Sequence, residues 1–501
     1  MGHGIEHGTE QPKMLRVQQD SGTIRRRTPS TSPPRTATQL PEKEVAQQAK
    51  ITTRAYSAAQ PGSEDLKSAL APNIHPYLTQ PDLLVLDNLF HDAHHDIQGE
   101  AIFSDQKPTP EVIEALADDS SIAYDHDAAS ISRLKALNNP NDGAFQPTIF
   151  TTWDEKDIPE PVNRYIVRPY ARVAMQIVRH PTDVVFLTHL LLYLTVNLGS
   201  AIYMFHHFTY LHGVGHAVYT LWCAGSFTLM MHNHIHNNGI LAKRWRWLDM
   251  TFPYVLEPLM GHTWDSYYYH HVKHHHVEGN GPDDLSTTIR YQRDDLLNFL
   301  HYVGRFLLFI WIELPLYFYR KGKPNLAICA LLSELASYAF MYCMYRWQPR
   351  ATTFTLLIPF VQLRLGLMIG NWGQHALVDE LEPDSDFRSS ITLVDVPSNR
   401  FCFNDGYHTA HHLNPRRHWR EQPLHFLQSK EAYRSGRALV FHNIDYLMLT
   451  VTLLRKDYLR LADCLVPMGD QIRMSKQEIA DMLRTKTKAF TEEEIRQKFG
   501  I

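Results

Sequence analysis

The chain lacks several of the signals that assign a function directly. It has five cysteines in 501 residues, an odd and scattered set without a CxxC pair. We therefore expect reduced thiols, with neither a disulfide framework nor a zinc knuckle. The formal net charge of -4 gives no basic excess for binding nucleic acid. No His-Glu-x-x-His motif is present, which counts against a zinc hydrolase, and no apolar run follows the start, so we expect no cleavable secretory signal.

Polar and apolar residues are segregated along the chain, so the mean hydropathy of -0.31 hides the apolar part. Residues 1–60 are rich in Ser, Thr, Pro, Gln and Arg, which predicts a disordered tail. Residues 61–160 are mixed and polar and indicate a soluble lead-in. The membrane domain is predicted over 161–425, and a helical cytoplasmic region over 426–501.

Four uncharged or weakly charged apolar segments are long enough to predict membrane-spanning helices. They are 184–205, 206–231, 325–347 and 353–370. A fifth segment, 297–319, carries three ionisable residues and a proline, so we interpret it as an interfacial or re-entrant helix. Basic residues before the first span and after the second place the large polar regions, 232–296 and 371–501, in the cytoplasm by the positive-inside rule.

Histidine is the enriched residue type, with 30 copies against 24 tyrosines and 23 phenylalanines. Three histidine clusters lie just beyond predicted spans on the same membrane face, with helical i, i+3 and i, i+4 spacing that puts the rings on one face. A fourth element, Asn371 with His375, follows the last span at the same spacing. The predicted metal ligands are His232, His236, His271, His274, His275, His375, His408, His411, His412 and Asn371.

Nine imidazoles are too many for one metal ion and about right for two. Neutral imidazole suits iron, copper, zinc and nickel, but only redox metals with open positions activate dioxygen. His234, His270 and His276 fall off the preferred faces, although a register in which His270 joins His274 and His275 remains open. The carboxylates Glu278, Asp283, Asp284 and Asp405 are candidates to orient the imidazoles by accepting from their distal N–H groups.

These clusters resemble the histidine boxes of the membrane fatty acid desaturase family and its hydroxylase relatives. The resemblance covers about 183–425. It includes the pair His232/His236, the two HxxHH boxes, and the run from His411 to Pro415 that is followed by His418 and Trp419. It implies an all-α integral membrane fold with four transmembrane helices and a cytoplasmic helical cap that holds a di-iron site.

The resemblance also implies the chemistry. Two iron ions would use dioxygen and two electrons to remove two hydrogens from an acyl chain in a narrow tunnel, with a fatty acyl lipid or acyl-CoA as substrate. No His-Pro-Gly-Gly haem motif is present, so the electrons would come from an external donor protein, cytochrome b5 or ferredoxin. The expected location is the endoplasmic reticulum membrane, with the histidine boxes facing the cytoplasm. The first 160 residues match no known pattern.

Four other functions remain open at this point. A hydroxylase, an acetylenase or a desaturase of specialised metabolism would share the same di-iron scaffold and differ only in substrate and product. A His-rich metal transporter is the non-enzyme alternative, and it should line its spans with ionisable residues. Apart from Glu334, the predicted spans 184–205, 325–347 and 353–370 have few such groups beyond His189 and Arg364.

Overall fold

Helices dominate the computed structural model, which describes residues 78–103 and 126–501. The predicted tail 1–60 and part of the lead-in 61–160 lie outside the described residues. The α- and π-helical segments of five or more residues are α1 Gln80–Phe103, α2 126–138, α3 160–174, α4 Val184–His206, α5 Tyr210–Asn237, α6 252–259, α7 268–278, α8 Leu296–Arg320, α9 Pro324–Trp347, α10 Pro349–Gln374, α11 Pro397–Phe401, α12 His408–Leu413, α13 Gln422–Gln428, α14 Lys430–Ser435, α15 Tyr446–Leu454, α16 Tyr458–Cys464, α17 Lys476–Thr485 and α18 Glu492–Phe499.

One two-stranded parallel sheet departs from the all-helical prediction. Strand β1, Ile391–Leu393, pairs with β2, Leu439–Phe441, in the register Ile391 to Leu439. All six side chains of these strands are buried. Each strand is only three residues long, and four helices lie between the two, so no local alternation in the sequence predicts the pairing.

Four of the described helices are long and apolar enough to cross a membrane: α4, α8, α9 and α10. The number agrees with the prediction, but the set differs, because α8 qualifies by composition and α5 does not. Helix α5 nevertheless exposes an apolar face, with Leu211 87% and Trp222 76% accessible. Such a face is expected of a helix that contacts lipid rather than water.

Contacts at the helix ends show which helices run between the same two levels. At one level the end of α4 contacts the end of α9, where the Phe205 and Trp347 rings stack 5.3 Å apart. At the same level the start of α5 contacts the start of α10, where Arg350 lies over the Tyr210 ring. At the other level lie the start of α4, the histidine-bearing end of α5, the start of α9 and the end of α10. Helices α4, α5, α9 and α10 therefore connect the two levels.

Helix α8 has both ends at the histidine level, as the interfacial prediction requires. Near its start, Phe299 and Tyr302 pack on Trp372, close to the end of α10. Near its end, Tyr317 packs 4.5 Å from His274 and donates a hydrogen bond to Glu278. A helix of this length that crossed a bilayer would have its ends at opposite levels.

Candidate metal centre

Five histidines from three separate elements converge into a first group. They are His232 and His236 at the end of α5, His271 and His276 in α7, and His411 in α12. One ligating nitrogen from each lies within 4.8 Å of the other four. Four of the Nε2 atoms form a closed ring, with His232 3.0 Å from His411, His411 2.8 Å from His276, His276 3.1 Å from His271 and His271 3.2 Å from His232.

A second group of imidazoles adjoins the first. His275, His375 and His412 bring nitrogens within 4.8 Å of one another. His408 joins them, because its Nε2 lies 3.1 Å from Nε2 of His375 and its ring centroid lies 4.5 Å from that of His412. The two groups are neighbours through consecutive residues: His275 and His276 belong to different groups, as do His411 and His412. This arrangement holds two sites side by side.

The second histidine box adopts a π-helix over Tyr268–His275, and this decides which rings converge. The N–H of His276 bonds to the carbonyl of His271, a spacing of five residues in place of four. The wider turn brings residues four and five apart onto one face. His271, His275 and His276 therefore face the two imidazole groups. The α-helical spacing had predicted that His271, His274 and His275 would do so.

His274 lies outside both groups. Its Nε2 accepts the backbone N–H of Leu285 at 3.1 Å, and its ring is fully buried. It belongs to a third cluster with His270 and Asp284. A nitrogen that already accepts from a backbone amide has no lone pair left for a metal, so the structure separates His274 from the other eight predicted histidines.

Asp284 is the carboxylate that orients the second group. Its Oδ2 lies 2.7 Å from Nδ1 of His275, and its Oδ1 accepts from the backbone N–H and the hydroxyl of Ser286. Burial raises the pKa of Asp284, but the charge interaction and hydrogen bond with His275, together with the nearby His274 and His270, outweigh burial and hold the pKa below its ordinary value. A carboxylate that accepts from Nδ1 leaves Nε2 of the ring as the metal-binding nitrogen.

Asn371 lies where the end of α10 meets the second group. Its Nδ2 donates to the Tyr302 hydroxyl at 2.6 Å and to the Ser286 carbonyl at 3.0 Å. Both bonds use the amino side of the amide, so they fix the orientation of the carbonyl side. Asn371 also lines the cavity beside the histidines, together with His232, His271, His275 and His408.

The third box is positioned by the turn that precedes it. The N–H of Leu393 in β1 donates to the Gly406 carbonyl, and the Gly406 N–H donates to Oδ1 of Asn399 at 2.9 Å. Asn399 is fully buried and also donates to the carbonyls of Leu393 and Val394. The sheet and this asparagine therefore fix the backbone two residues before His408.

The ring nitrogens of the two groups are better suited to bind metal ions than to hydrogen-bond to one another. Burial, with repulsion from neighbouring imidazoles, holds the pKa of His271, His276 and His411 well below the ordinary value, so the rings are neutral. A neutral imidazole has one N–H, and in a ring of four nitrogens at most two of the four contacts can hold a proton. The buried Nε2 atoms of His236 and His412 have no hydrogen-bond partner. A cation accepts a lone pair from every one of these nitrogens.

A cavity of about 300 Å³ adjoins the two groups. Apolar side chains from α5, α8 and α10 form most of its wall, including Leu221, Ile310, Leu314, Leu363 and Leu367. Its lining also contains a buried ion pair between Arg364 of α10 and Glu334 of α9, with N–O distances of 2.7 and 2.8 Å. Such a cavity suits an elongated apolar ligand whose middle reaches the histidines.

The structure thus brings together eight of the nine predicted histidines and places Asn371 beside them. The histidine that sequence reasoning did not select is His276. The run of three histidines at 274–276 allowed more than one register, and only the π-helix distinguishes them. Among the suggested orienting carboxylates, Asp284 contacts a histidine of the second group, whereas Glu278 bonds to Tyr317 and Asp405 accepts from Gln374.

Comparison with known proteins gives one family. The family model described as fatty acid desaturase matches residues 208–443, which contain every histidine of both groups and Asn371. No curated protein matches the chain.

Proposed function

Residues 208–443 make this chain a member of the fatty acid desaturase family, and on that premise we propose that it is a membrane-bound di-iron oxidoreductase that uses dioxygen to oxidise a fatty acyl chain. The reaction that we propose first introduces a double bond into the acyl chain. A hydroxylase, an acetylenase or a specialised desaturase would use the same centre. The observation that carries the proposal is the pair of adjacent imidazole groups, each with buried, neutral nitrogens.

The first iron would be held by His232, His236, His271, His276 and His411, and the second by His275, His375, His408 and His412, with Asn371 at its open side. In this assignment His276 replaces His274. Two irons bound there would supply the oxidation of an unactivated C–H bond by dioxygen and two electrons. The protein's own contribution is to bury the imidazoles, to orient His275 through Asp284, and to hold the acyl chain beside them.

The cavity would be the binding site for the substrate. Its apolar wall removes the chain from water, and its histidine lining puts a stretch of the chain beside the metal groups. The regiochemistry of the reaction would follow from how deeply the chain enters, since reaction requires sub-ångström placement of one carbon.

The membrane orientation follows from the helix ends. Helices α4, α5, α9 and α10 would span the bilayer, and α8 would lie along its cytoplasmic face. The basic residues 320–323 between α8 and α9 lie at the histidine level, where Lys321 pairs with Asp283 and Glu278. From the positive-inside rule we infer that the metal centre faces the cytoplasm, where an external donor such as cytochrome b5 or a ferredoxin could reach it, and the family resemblance makes the endoplasmic reticulum the expected membrane.

Metal content is the decisive measurement. The chain is purified in detergent without chelator, and iron and zinc per polypeptide are counted by mass spectrometry. The wild type should carry two irons, and His275→Ala and His411→Ala should each lose iron. Lipid profiling of expressing cells then identifies the product and separates desaturation from hydroxylation.

Neighbouring substitutions in the second box sharpen this test. His276→Gln should lower iron content, whereas His274→Gln should keep both irons, because a glutamine amide can still accept from the Leu285 N–H. The opposite ranking would refute the assignment of His276. Stoichiometric zinc, or no metal in a folded wild-type protein, would overturn the di-iron proposal and favour a metal-transporting or structural role.

A further inference from the structure

Two segments beside the ends of spans expose large apolar side chains together with basic residues. The first segment, 161–182, contains most of α3 and leads to the start of α4, and the second segment, 238–256, follows the end of α5. The two are joined by an antiparallel bridge between Val178 and Leu241. Since the start of α4 and the end of α5 lie at the histidine level, both segments lie at that level too.

Helix α3 in the first segment has apolar side chains on two faces. Val167 and Ala174 are buried in a cluster that includes the start of α4. On another face, Ile166 is 64% exposed, and Val173, which follows it by two helical turns, is also exposed. Tyr165 beside them is 72% exposed. The first face fixes the helix to the protein, and the second is left for a partner.

The second segment shows a similar exposure of apolar side chains. Trp247, Met250 and Tyr254 are exposed, with Trp247 at 66%. They are spaced three and four residues apart within helical turns, which places them on one side of the segment. Trp and Tyr are enriched where the hydrocarbon core of a bilayer meets its head groups, because each ring has an apolar body and a polar edge.

The charge of both segments is positive and is not balanced locally. The first segment contains four arginines and neither Asp nor Glu. The second contains three basic residues and one carboxylate, Asp249, which is buried and accepts a hydrogen bond from the Ile240 N–H. Arg164, Arg172 and Arg246 are exposed, and within the described part of the chain none of them forms an ion pair. The surface therefore attracts anions.

Two kinds of partner are attracted to such a surface, an acidic protein and the anionic head groups of lipids. The exposed apolar side chains decide between them. Beside the start of a span, Ile166 and Val173 reach the boundary between head groups and acyl chains, where a leaflet buries them. Arg164 and Arg172 extend from neighbouring positions of the same helix. Guanidinium groups pair with phosphate oxygens through two parallel hydrogen bonds.

We propose that these two segments form a surface that binds anionic phospholipids of the cytoplasmic leaflet. The arginines would hold the phosphate groups, and the aromatic side chains would lie at the depth of the head groups. The inference uses neither the histidines nor the cavity, so it stands apart from the proposed oxidation. Each basic residue near an anionic membrane surface raises affinity about fivefold.

The test measures lipid binding to the full-length protein in a neutral detergent. Phosphatidylserine and phosphatidylcholine with the same acyl chains are titrated separately, and native mass spectrometry counts the molecules that remain bound. The wild type should bind phosphatidylserine at least ~tenfold more tightly than phosphatidylcholine, since two or more arginines contribute. Equal affinity for the two lipids would overturn the proposal.

Variants of matched charge locate the binding surface. Arg164→Gln/Arg172→Gln/Arg246→Gln should lose most of the preference for phosphatidylserine. Because all three side chains are exposed, circular dichroism should show unchanged helical content. The control Lys135→Gln/Lys488→Gln/Arg496→Gln removes the same formal charge from exposed positions outside both segments and should keep the preference. Equal losses in the two triple variants would show that net charge alone is responsible, and the surface would not be the site.

An acidic protein partner would give a different result. Cytochrome b5 serves as the probe for this alternative, and its rate of electron transfer to each variant is measured in the same detergent. A variant with the three arginines replaced that keeps its preference for phosphatidylserine but accepts electrons more slowly would overturn the lipid assignment. The surface would then be a protein-docking site.

Discussion

Gly406→Ala is a small substitution that the fold should tolerate poorly. A Cβ at this position would meet Oδ1 of Asn399 at 2.2 Å and the Leu393 carbonyl at 2.7 Å. Asn399 cannot turn aside without giving up its bonds to the Leu393 and Val394 carbonyls and to the Gly406 N–H. Overpacking costs about 1–3 kcal/mol and each lost bond about 1 kcal/mol, so destabilisation of roughly 3 kcal/mol is expected.

The strain should also reach the third histidine box, because His408 follows two residues later. Thermal unfolding of the purified protein in detergent should show a lower apparent Tm, and metal analysis should show reduced iron. Gly304→Ala in α8 is the matched control, since nothing lies within 4 Å of its added Cβ and alanine favours the helix by up to ~1 kcal/mol. If Gly406→Ala melts with the wild type and retains both irons, the argument that this turn positions the box is wrong.

Three further substitutions test other parts of the structure. Asp284→Asn removes the carboxylate that orients His275, so iron affinity measured by chelator competition should fall roughly 10–100-fold, with little change in helical content by circular dichroism. Burial raises the pKa of Asp82 to about 7. Between about pH 4, near the ordinary pKa of an aspartate, and about pH 7, the folded chain therefore holds a proton that the unfolded chain has released. Stability should fall with rising pH across that window, by at most about 1.4 kcal/mol per pH unit, and Asp82→Asn should flatten the slope in thermal melts. Lys430→Met removes the ammonium that pairs with Asp92 and Asp127 of the N-terminal helices, and should cost roughly 2–4 kcal/mol and admit proteases near α1 and α2 before the rest of the chain is cut.

Local spacing was enough to predict most of the histidines that the structure brings together. The pair His232/His236 lies on one continuous helix, and His408, His411 and His412 lie on another, so regular helical geometry puts each set on one face. The same reasoning located His375 after the last span. These predictions needed no knowledge of the tertiary fold, because ligands on one helix share a face whatever packs against it.

Other features depend on contacts between distant parts of the chain. The pairing of Glu334 with Arg364 joins residues on two different helices, and neither residue alone indicates the other. The same holds for β1 and β2, whose strands are too short to produce a pattern. The composition of α8 satisfies the requirements for a span, whereas its ionisable residues and proline predict an interfacial helix, and the contacts at both of its ends are needed to choose between the two.

The π-helical turn at 268–275 changes which histidines of the second box share a face, compared with an HxxHH box on an α-helix. With one residue removed between His271 and His275, the remaining histidines would have the spacing of an ordinary HxxHH box on an α-helix. In this chain the wide turn brings His271, His275 and His276 onto one face, although one more residue separates His271 from His275 than in an α-helical HxxHH box. An alignment that matches the letters HxxHH would therefore select His274 in this chain. An alignment that matches the residues on the shared helix face would select His276.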